Sequence, residues 1–262
     1  MKKYRRYKIA VIILSCAVVL EGMVIFGLTR SKKPLPKARP AVTFKGKIAI
    51  VLDDWGYSLK NLGILEGIKY PLTLSVLPRL NYSAQVAGDL AKRGYEVILH
   101  LPMEPYERFR LEQNTILVSM GEQSIRQIIK EDLFSILSAR GVSNHMGSRA
   151  TSDTRTMSAV FKELKKRNLY FLDSLVSPKS VCGQLAKDLG LDFARRDIFL
   201  DNQQDPAYIK GQIYKLKALA RMRGEAIGIG HDRKATLEVL KEVMPQLENE
   251  GYKFVYVSEL VK

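Results

Sequence analysis

From residue 43 onward, short apolar runs of strand length alternate with stretches whose apolar residues recur at helical spacing. This alternation constrains the fold strongly, because neighbouring parallel strands need a crossover connection, usually a helix, between them. Polar residues follow nearly every apolar run, as expected where the strands of a β/α barrel end at an active-site rim. The sequence therefore predicts an α/β fold, a distorted barrel of about seven to eight parallel strands, with an open doubly wound sheet as the alternative.

The predicted elements fill residues 43–262 in regular order, and glycines lie where most of the helices should end. This length suits one α/β domain. The predicted strands are 47–53, 72–78, 96–102, 142–147, 169–174, one within 191–201, 226–231 and 254–260. The predicted helices are 59–68, 84–92, 122–139, 156–167, 180–189, 206–223 and 234–250.

The chain has three histidines, His100, His145 and His231, and each of them ends an apolar run. A further run, KIAIVL, ends in the acid pair Asp53 and Asp54. Because the carboxyl ends of barrel strands meet at one rim, we expect these side chains to form a single site. Histidines beside carboxylates are typical of metal-assisted hydrolysis and of acid–base catalysis.

The N-terminal region predicts a membrane anchor. Residues 1–40 carry ten lysines and arginines against one acid, which gives +9 of the net charge of +15. The basic residues 1–8 precede an apolar run, 9–28, and about 20 residues just span a hydrocarbon core. The basic flank predicts a cytoplasmic N-terminus and one pass through a bacterial inner membrane, with the domain in the periplasm or outside. No small-residue cleavage site follows, which favours an uncleaved anchor over a removed signal peptide.

Residues 29–42 are rich in proline and basic residues and predict an extended linker to a domain at 43–262. Apart from the first 40 residues, the chain is only mildly basic. Basic helices that would follow a phosphate backbone are also missing from the sequence. We therefore expect no nucleic-acid partner.

Several motifs occur in a fixed order: LDDWG, then HLPMEP, then a late run ending in GHD, and finally FVYVSEL. In this order, on successive β/α units, they resemble the polysaccharide deacetylase (NodB-homology) superfamily, and most closely its divergent polysaccharide deacetylase family of bacterial envelope proteins. The resemblance covers residues 47–262. It implies a metal-dependent hydrolase of carbohydrate N-acetyl groups, with a divalent metal such as zinc and with N-acetylated envelope glycan or peptidoglycan as partner.

The resemblance also implies roles for the strand-end residues. On the first motif, Asp53 is the general base and Asp54 is a metal ligand. His100 matches the first histidine of the family's H-x-x-x-H-P metal motif, whereas Glu104 replaces the second histidine. His145 falls near the third motif. The implied metal ligands are therefore Asp54, His100 and His145, with Glu104 as the alternative third ligand.

Further roles follow from the later motifs. Arg149 is expected to orient Asp53. His231 resembles the family's general acid for the leaving amine, and Asp173 resembles the acid that pairs with this histidine and raises its pKa. The segment ARRDIFLDN is expected to bring Arg196, Asp197 and Asp201 to the same rim, where they would bind substrate or serve as a scaffold for the site.

Replacement of the second metal histidine leaves two other functions open. One is a catalytically degenerate protein that binds envelope glycan or serves as a scaffold. The other is a glycosidase, in which two carboxylates would carry the reaction and the histidines would be dispensable.

Overall fold

The computed structural model describes residues 2–30 and 43–262, which belong to two separate compact units. Most of the predicted linker 29–42 lies outside the described residues. The first unit is one helix, α1 (Lys2–Arg30), whose apolar side chains are exposed. Its segment Lys3–Thr29 is long and apolar enough to cross a membrane, so α1 is a candidate membrane anchor or signal sequence.

The second unit is built on one sheet in which every strand pair is parallel. Parallel pairing is possible because helices connect most successive strands. The strands are β1 (Gly46–Trp55), β2 (Thr73–Val76), β3 (Glu96–Met103), β4 (Gly141–Met146), β5 (Tyr170–Asp173), β6 (Phe193–Arg195), β7 (Ile198–Phe199), β8 (Glu225–His231) and β9 (Tyr252–Val255).

The helices of this unit cover the outside of the sheet. Two of them begin with an aspartate that caps the first turn, Asp153 and Asp205. The helices are α2 (Leu62–Leu65), α3 (Ser83–Lys92), α4 (Glu122–Ser135), α5 (Thr154–Lys166), α6 (Cys182–Leu189), α7 (Pro206–Arg223) and α8 (Lys234–Asn249), with short 3₁₀ turns at Ala150–Ser152 and Val257–Glu259.

Eight strands follow the spatial order β6-β5-β4-β3-β2-β1-β8-β7, and β9 pairs with the first residues of β1. β6 and β7 stand at opposite ends of this order, yet only Arg196 and Asp197 separate them along the chain. Two residues span only a few ångströms, so the sheet curls until its two ends approach each other. The predicted parallel barrel is therefore confirmed as a curled half-barrel, and the predicted sixth strand is two strands.

Alternate residues of the strands form two separate buried clusters. Val51, Ile98 and Ile229 belong to a smaller cluster inside the curl. Ile50 and Leu52 belong to a larger cluster that packs against the helices. Because successive strand residues point to opposite faces, this division identifies which residues of each strand face the interior of the curl.

Two predicted helices are shorter than expected. The first predicted helix, 59–68, is reduced to a single turn, α2. The predicted helix 122–139 ends at Ser135, because Ile136 leaves the helical conformation with φ −129°. Leu137, which lies within the predicted helix but beyond its observed end, is 83% exposed.

Candidate metal and catalytic site

The two acids at the end of β1 both reach the rim, which is formed by the carboxyl ends of the strands. Asp53 continues the inward series of Val51, whereas a regular strand would turn Asp54 to the opposite face. The register of β1 against β2 shifts between Leu52 and Trp55, and Asp54 adopts a left-handed conformation with φ 66°. This irregularity brings both carboxylates to the same site.

His100 and His145 lie near the ends of β3 and β4 and face Asp54. His100 Nε2 lies 3.3 Å from Asp54 Oδ1, and His145 Nδ1 lies 3.2 Å from the same oxygen. One potential ligand atom from each of the three residues lies within 4.8 Å of the other two. The structure therefore brings together the three residues that the sequence first predicted as metal ligands.

Asp53 lies beside this cluster, with Oδ2 3.7 Å from His100 Nε2. Its side chain is buried, and Oδ1 has no hydrogen-bond partner among the described residues. Burial raises the pKa of Asp53, and the charges of His100 and His231 offset this only in part, so the pKa lies above its usual value. Asp53 therefore takes up a proton more readily than an ordinary aspartate, as a general base requires.

Asp54 has the opposite electrostatic environment. Burial alone would raise its pKa, but the adjacent imidazoles of His100 and His145 outweigh burial and hold the pKa well below its usual range. Asp54 consequently stays ionised, as a carboxylate ligand must. The pKa values of these two adjacent acids are thus shifted in opposite directions, which suits one to accept a proton and the other to bind a metal.

Glu104 and Arg149 pair with each other instead of serving the site. Glu104 Oε1 accepts a hydrogen bond of 2.8 Å from Arg149 Nη1, and Oε2 accepts one of 2.6 Å from the backbone N–H of Val118. Both oxygens of Glu104 are thereby used to hold the loop after β3, and the structure does not bring Glu104, the alternative third ligand, into the cluster. It does not bring Arg149 to Asp53 either, because the half-exposed guanidinium of Arg149 contacts Glu104.

His231, at the end of β8, stands opposite Asp53 in the β1–β8 register. Its Nδ1 lies 2.7 Å from Asp201 Oδ1, and its backbone N–H donates to Asp201 Oδ2 over 2.9 Å. Burial lowers the pKa of His231, but the hydrogen bond and charge of Asp201 and the charges of Asp53 and Asp54 outweigh it, so the pKa lies above its usual value. A raised pKa keeps the imidazole protonated to a higher pH, as a general acid requires.

The structure does not bring Asp173, the predicted partner, to His231. Asp173 Oδ1 accepts from the backbone N–H of Leu175, and Oδ2 accepts from the Ser180 hydroxyl. The reason is topological: Asp173 ends β5, whereas Asp201 follows β7, the strand that pairs with β8. Asp201 is therefore the partner of the histidine rather than a substrate ligand.

Arg196 and Asp197, the other predicted substrate contacts, both stabilise the junction between β6 and β7. Arg196 Nε donates to the carbonyl of Ser174, and its guanidinium lies 3.6 Å over the Phe199 ring, which in turn stacks on His231. Asp197 Oδ2 accepts from the N–H of Ile227, four residues before His231 and so about 13 Å back along β8. Asp197 therefore lies away from the rim, whereas Arg196 supports it.

Two further site residues were missed by sequence reasoning. Ser143 Oγ lies 2.8 Å from His100 Nδ1 and 2.6 Å from Ser75 Oγ, and both serines are fully buried. A polar residue within a predicted buried strand was the available signal, since such a residue needs a hydrogen-bond partner.

A sequence model of the family described as divergent polysaccharide deacetylase matches residues 50–261. The chain belongs to the divergent polysaccharide deacetylase family. The match covers nearly all of the second unit, from β1 to the residues after β9. The family resemblance of the motifs is therefore confirmed.

Relatives of this protein include two uncharacterized bacterial proteins. YibQ of Escherichia coli (strain K12) is 36% identical over 202 residues, which are 77% of this chain and 63% of YibQ. A protein of Haemophilus influenzae is 32% identical over 197 residues, which are 75% of this chain and 70% of the relative. The matched part of this chain thus spans less than two thirds of the length of the E. coli protein.

Solved structures share the fold of this deacetylase-family protein. The uncharacterized protein ATU2773 from Agrobacterium tumefaciens C58 has a TM-score of 0.80 at 24% identity, covering 87% of this chain and 92% of that one. The catalytic domain of peptidoglycan N-acetylglucosamine deacetylase from Eubacterium rectale has a TM-score of 0.52 at 16% identity, covering 85% and 94%. BA3943 from Bacillus anthracis, a CE4 family pseudoenzyme, has a TM-score of 0.52 at 15% identity, covering 88% and 70%. The fold thus occurs in both a deacetylase and a pseudoenzyme.

The donor set formed by Asp54, His100 and His145 fits a divalent metal ion. Asp54 Oδ1 is buried, and neither imidazole makes a well-aligned hydrogen bond to it, although two ring nitrogens lie close by. One carboxylate oxygen and two imidazole nitrogens are ligands that zinc binds readily. Three protein ligands also leave coordination positions open for water and substrate, as catalytic sites require.

Proposed function

We propose that this protein is an envelope-anchored, metal-dependent hydrolase that removes acetyl groups from N-acetylated carbohydrate. One observation carries the proposal. The possible ligands Asp54, His100 and His145 cluster beside Asp53, a buried carboxylate with an unpaired oxygen and a raised pKa. A metal-binding set next to a free base is the arrangement that metal-assisted hydrolysis uses.

Asp54, His100 and His145 would hold the metal ion, for which zinc is the best match to the ligands. When bound, the ion would supply Lewis-acid polarisation of the acetamide carbonyl and would lower the pKa of water. Asp53 accepts the proton of the attacking water, since it lies next to the cluster and is not itself a ligand.

His231 completes the reaction from the neighbouring strand. Asp201 fixes Nδ1, so Nε2 is the nitrogen that gives a proton to the departing amine. A carbon–oxygen bond forms, the amide carbon–nitrogen bond breaks, and the products are acetate and a free amino sugar. The raised pKa of His231 keeps the proton available near neutral pH.

The proposed setting is the bacterial envelope. Residues 1–8 would stay in the cytoplasm, 9–28 would cross the inner membrane, and 29–42 would link them to the domain at 43–262. Support comes from the apolar helix α1 and from the basic residues before its apolar run. The partner would then be N-acetylated envelope glycan, and the peptidoglycan deacetylase among the structures of the same fold makes peptidoglycan a natural first substrate to test.

Acetate release tests the proposal. The full-length protein in detergent micelles, loaded with zinc or cobalt, is expected to release acetate from N-acetylated glycan oligomers or from peptidoglycan. Asp53→Asn is the decisive variant, because it removes the base and leaves the three ligands in place. It should lower kcat by about 10²- to 10⁴-fold, the usual contribution of acid–base catalysis, while bound metal per chain stays unchanged.

A glycan-binding protein without turnover is the second candidate. It is favoured by the replacement of the second motif histidine by Glu104, which faces Arg149 instead of the cluster. In that case the metal-loaded protein would retain glycan in a pull-down assay and release no acetate. Retention would also be the same for His100→Ala, whereas the deacetylase depends on that ligand.

A further inference from the structure

A chain of hydroxyl groups runs beneath the proposed metal site. His100 Nδ1 contacts Ser143 Oγ at 2.8 Å, and Ser143 Oγ contacts Ser75 Oγ at 2.6 Å. His100 is 2% exposed and both serines are 0% exposed, so bulk water does not satisfy these groups. Each polar atom in the chain depends on its neighbour in the chain for a hydrogen bond.

The strand registers place this chain on the inner face of the curl. Ser143 on β4 stands directly opposite His100 on β3. Ser75 on β2 stands opposite Ile98, which faces the same side as His100 two residues later. The chain from His100 through Ser143 to Ser75 therefore connects three adjacent strands, β2, β3 and β4.

Metal binding by His100 fixes the direction of the first hydrogen bond in this chain. A ring nitrogen that binds a metal carries no proton, so a metal on Nε2 leaves the ring proton on Nδ1. Nδ1–H then donates to Ser143 Oγ, and the Ser143 hydroxyl forms a second hydrogen bond with Ser75. Without the Ser143 hydroxyl, the buried Nδ1–H would have no partner, and burial makes that loss costly.

We infer that Ser143 and Ser75 are positioning residues that hold the His100 ring through Nδ1 and thereby present Nε2 to a metal ion shared with Asp54. The inference rests on the metal site of the proposed function, but it does not require deacetylation. A metal-binding histidine generally has its other ring nitrogen fixed by a hydrogen-bond partner. Here two buried hydroxyl groups supply that function.

The ring nitrogen that binds the metal is measurable without activity. Because the chain has three histidines, selective ¹⁵N-histidine labelling of the full-length protein in micelles gives few signals. His145→Ala and His231→Ala variants assign them before zinc is added. In zinc-loaded protein, His100 should bind the metal through Nε2 and carry its proton on Nδ1. Zinc bound to Nδ1 in the wild-type protein would overturn the inference, whatever the variants do.

Metal affinity provides the second readout. Ser143→Ala should weaken zinc or cobalt binding by about 10- to 100-fold, the usual effect of losing an outer partner of a ligand. Ser75→Ala should weaken it less, because Ser143 can still accept from His100. Ser143→Thr keeps the hydroxyl and should restore most of the affinity.

Ser83→Ala is the matched control. Ser83 is equally buried, but its hydroxyl binds the carbonyl of Leu77 and the N–H of Leu80, away from His100. The Ser83→Ala variant should lower the stability of the domain without changing its metal affinity. Equal affinities of Ser143→Ala and wild type, in folded protein, contradict the inference. An active enzyme whose His100 binds zinc through Nδ1 would refute the positioning role alone, whereas a protein that binds zinc through His100 Nε2 but releases no acetate would refute the proposed function alone.

Discussion

Asp201 holds His231 by two hydrogen bonds, one of 2.7 Å to the imidazole Nδ1 and one of 2.9 Å to the backbone N–H of the same residue. The Asp201 carboxylate is itself fixed, because the Thr236 hydroxyl donates to Oδ2 over 2.6 Å. The orientation of the ring and the proton on Nδ1 are therefore both determined by a residue that is completely buried. This leaves Nε2 as the nitrogen that exchanges protons at the rim.

Asp201→Asn should move the alkaline limit of activity to lower pH. The raised pKa of His231 keeps it protonated to a higher pH, so turnover that needs the acid persists below this pKa and is lost as the pH rises through it. A hydrogen bond to a charged group contributes roughly 1.5–3 kcal/mol, which corresponds to a displacement of about one to two pH units. The pH profile of kcat measures the displacement. Asp173→Asn is the control and should leave the alkaline limit in place.

His145→Ala and Glu104→Gln should separate the two alternatives for the third metal ligand. His145 Nδ1 is 3.2 Å from Asp54 Oδ1, whereas Glu104 is occupied by Arg149 and Val118. Removal of His145 should weaken zinc binding by at least about 100-fold, the upper end for loss of an outer partner. Glu104→Gln should change it by less than about threefold, well under the effect of an outer partner. Isothermal titration and elemental analysis give both numbers, and the opposite ranking would make Glu104 the ligand.

Arg196→Lys should destabilise the domain although it preserves the charge. The guanidinium donates to the carbonyls of Ser174 and Leu175 and stacks on Phe199, and a lysine ammonium cannot do all of this at once. We expect the free energy of unfolding to fall by about 2 kcal/mol, since hydrogen bonds from a charged group contribute roughly 1.5–3 kcal/mol. Urea denaturation measures the loss. Arg195→Lys, at the exposed neighbouring position, should be neutral, and equal effects of the two variants would argue against the specific contacts.

The contribution of Asp132 to the free energy of unfolding should decrease as the pH rises from about 4 to about 7. Burial raises its pKa to about 6, even though Arg79 Nε lies 2.6 Å away. Because the folded-state pKa exceeds the usual 3.8, the folded form binds the proton more tightly, and this stability is lost as the pH rises through about 6. The difference corresponds to about 3 kcal/mol.

Comparison with Asp132→Asn isolates this effect, since the variant cannot ionise. The free energy of unfolding of the wild type, measured relative to that of the variant, should decrease over this pH range. Glu131, the exposed neighbour on the same arginine, has a lowered pKa and should behave in the opposite sense in a Glu131→Gln comparison. A constant difference between wild type and Asp132→Asn would mean that Asp132 stays ionised in the folded protein.

The sequence predicted the parallel fold and most of the site because both depend on local patterns. Each of the apolar runs before Asp53, His100, His145 and His231 forms a strand, and the carboxyl ends of parallel strands lie at one rim. The order of the motifs also identified the family. Alternation of side chains along each strand explains why His100 faces inward.

The partners within the site could not be predicted in the same way. Asp173 was the predicted partner of His231, but Asp173 and Asp201 both end apolar runs, so apolar patterning alone does not distinguish them. The choice depends on β7 rather than β5 pairing with β8, which is a consequence of how the sheet curls.

The sequence by itself determined the alternation of strands and helices, the strand-end acids and histidines, and the family. Only the tertiary structure decided that Asp54 faces the site, that Asp201 hydrogen-bonds to His231, and that Ser143 hydrogen-bonds to His100. The physical reason is distance along the chain. Apolar periodicity indicates on which face of its strand or helix each residue lies. Hydrogen bonds between residues tens of positions apart depend instead on which strands become neighbours and in what register.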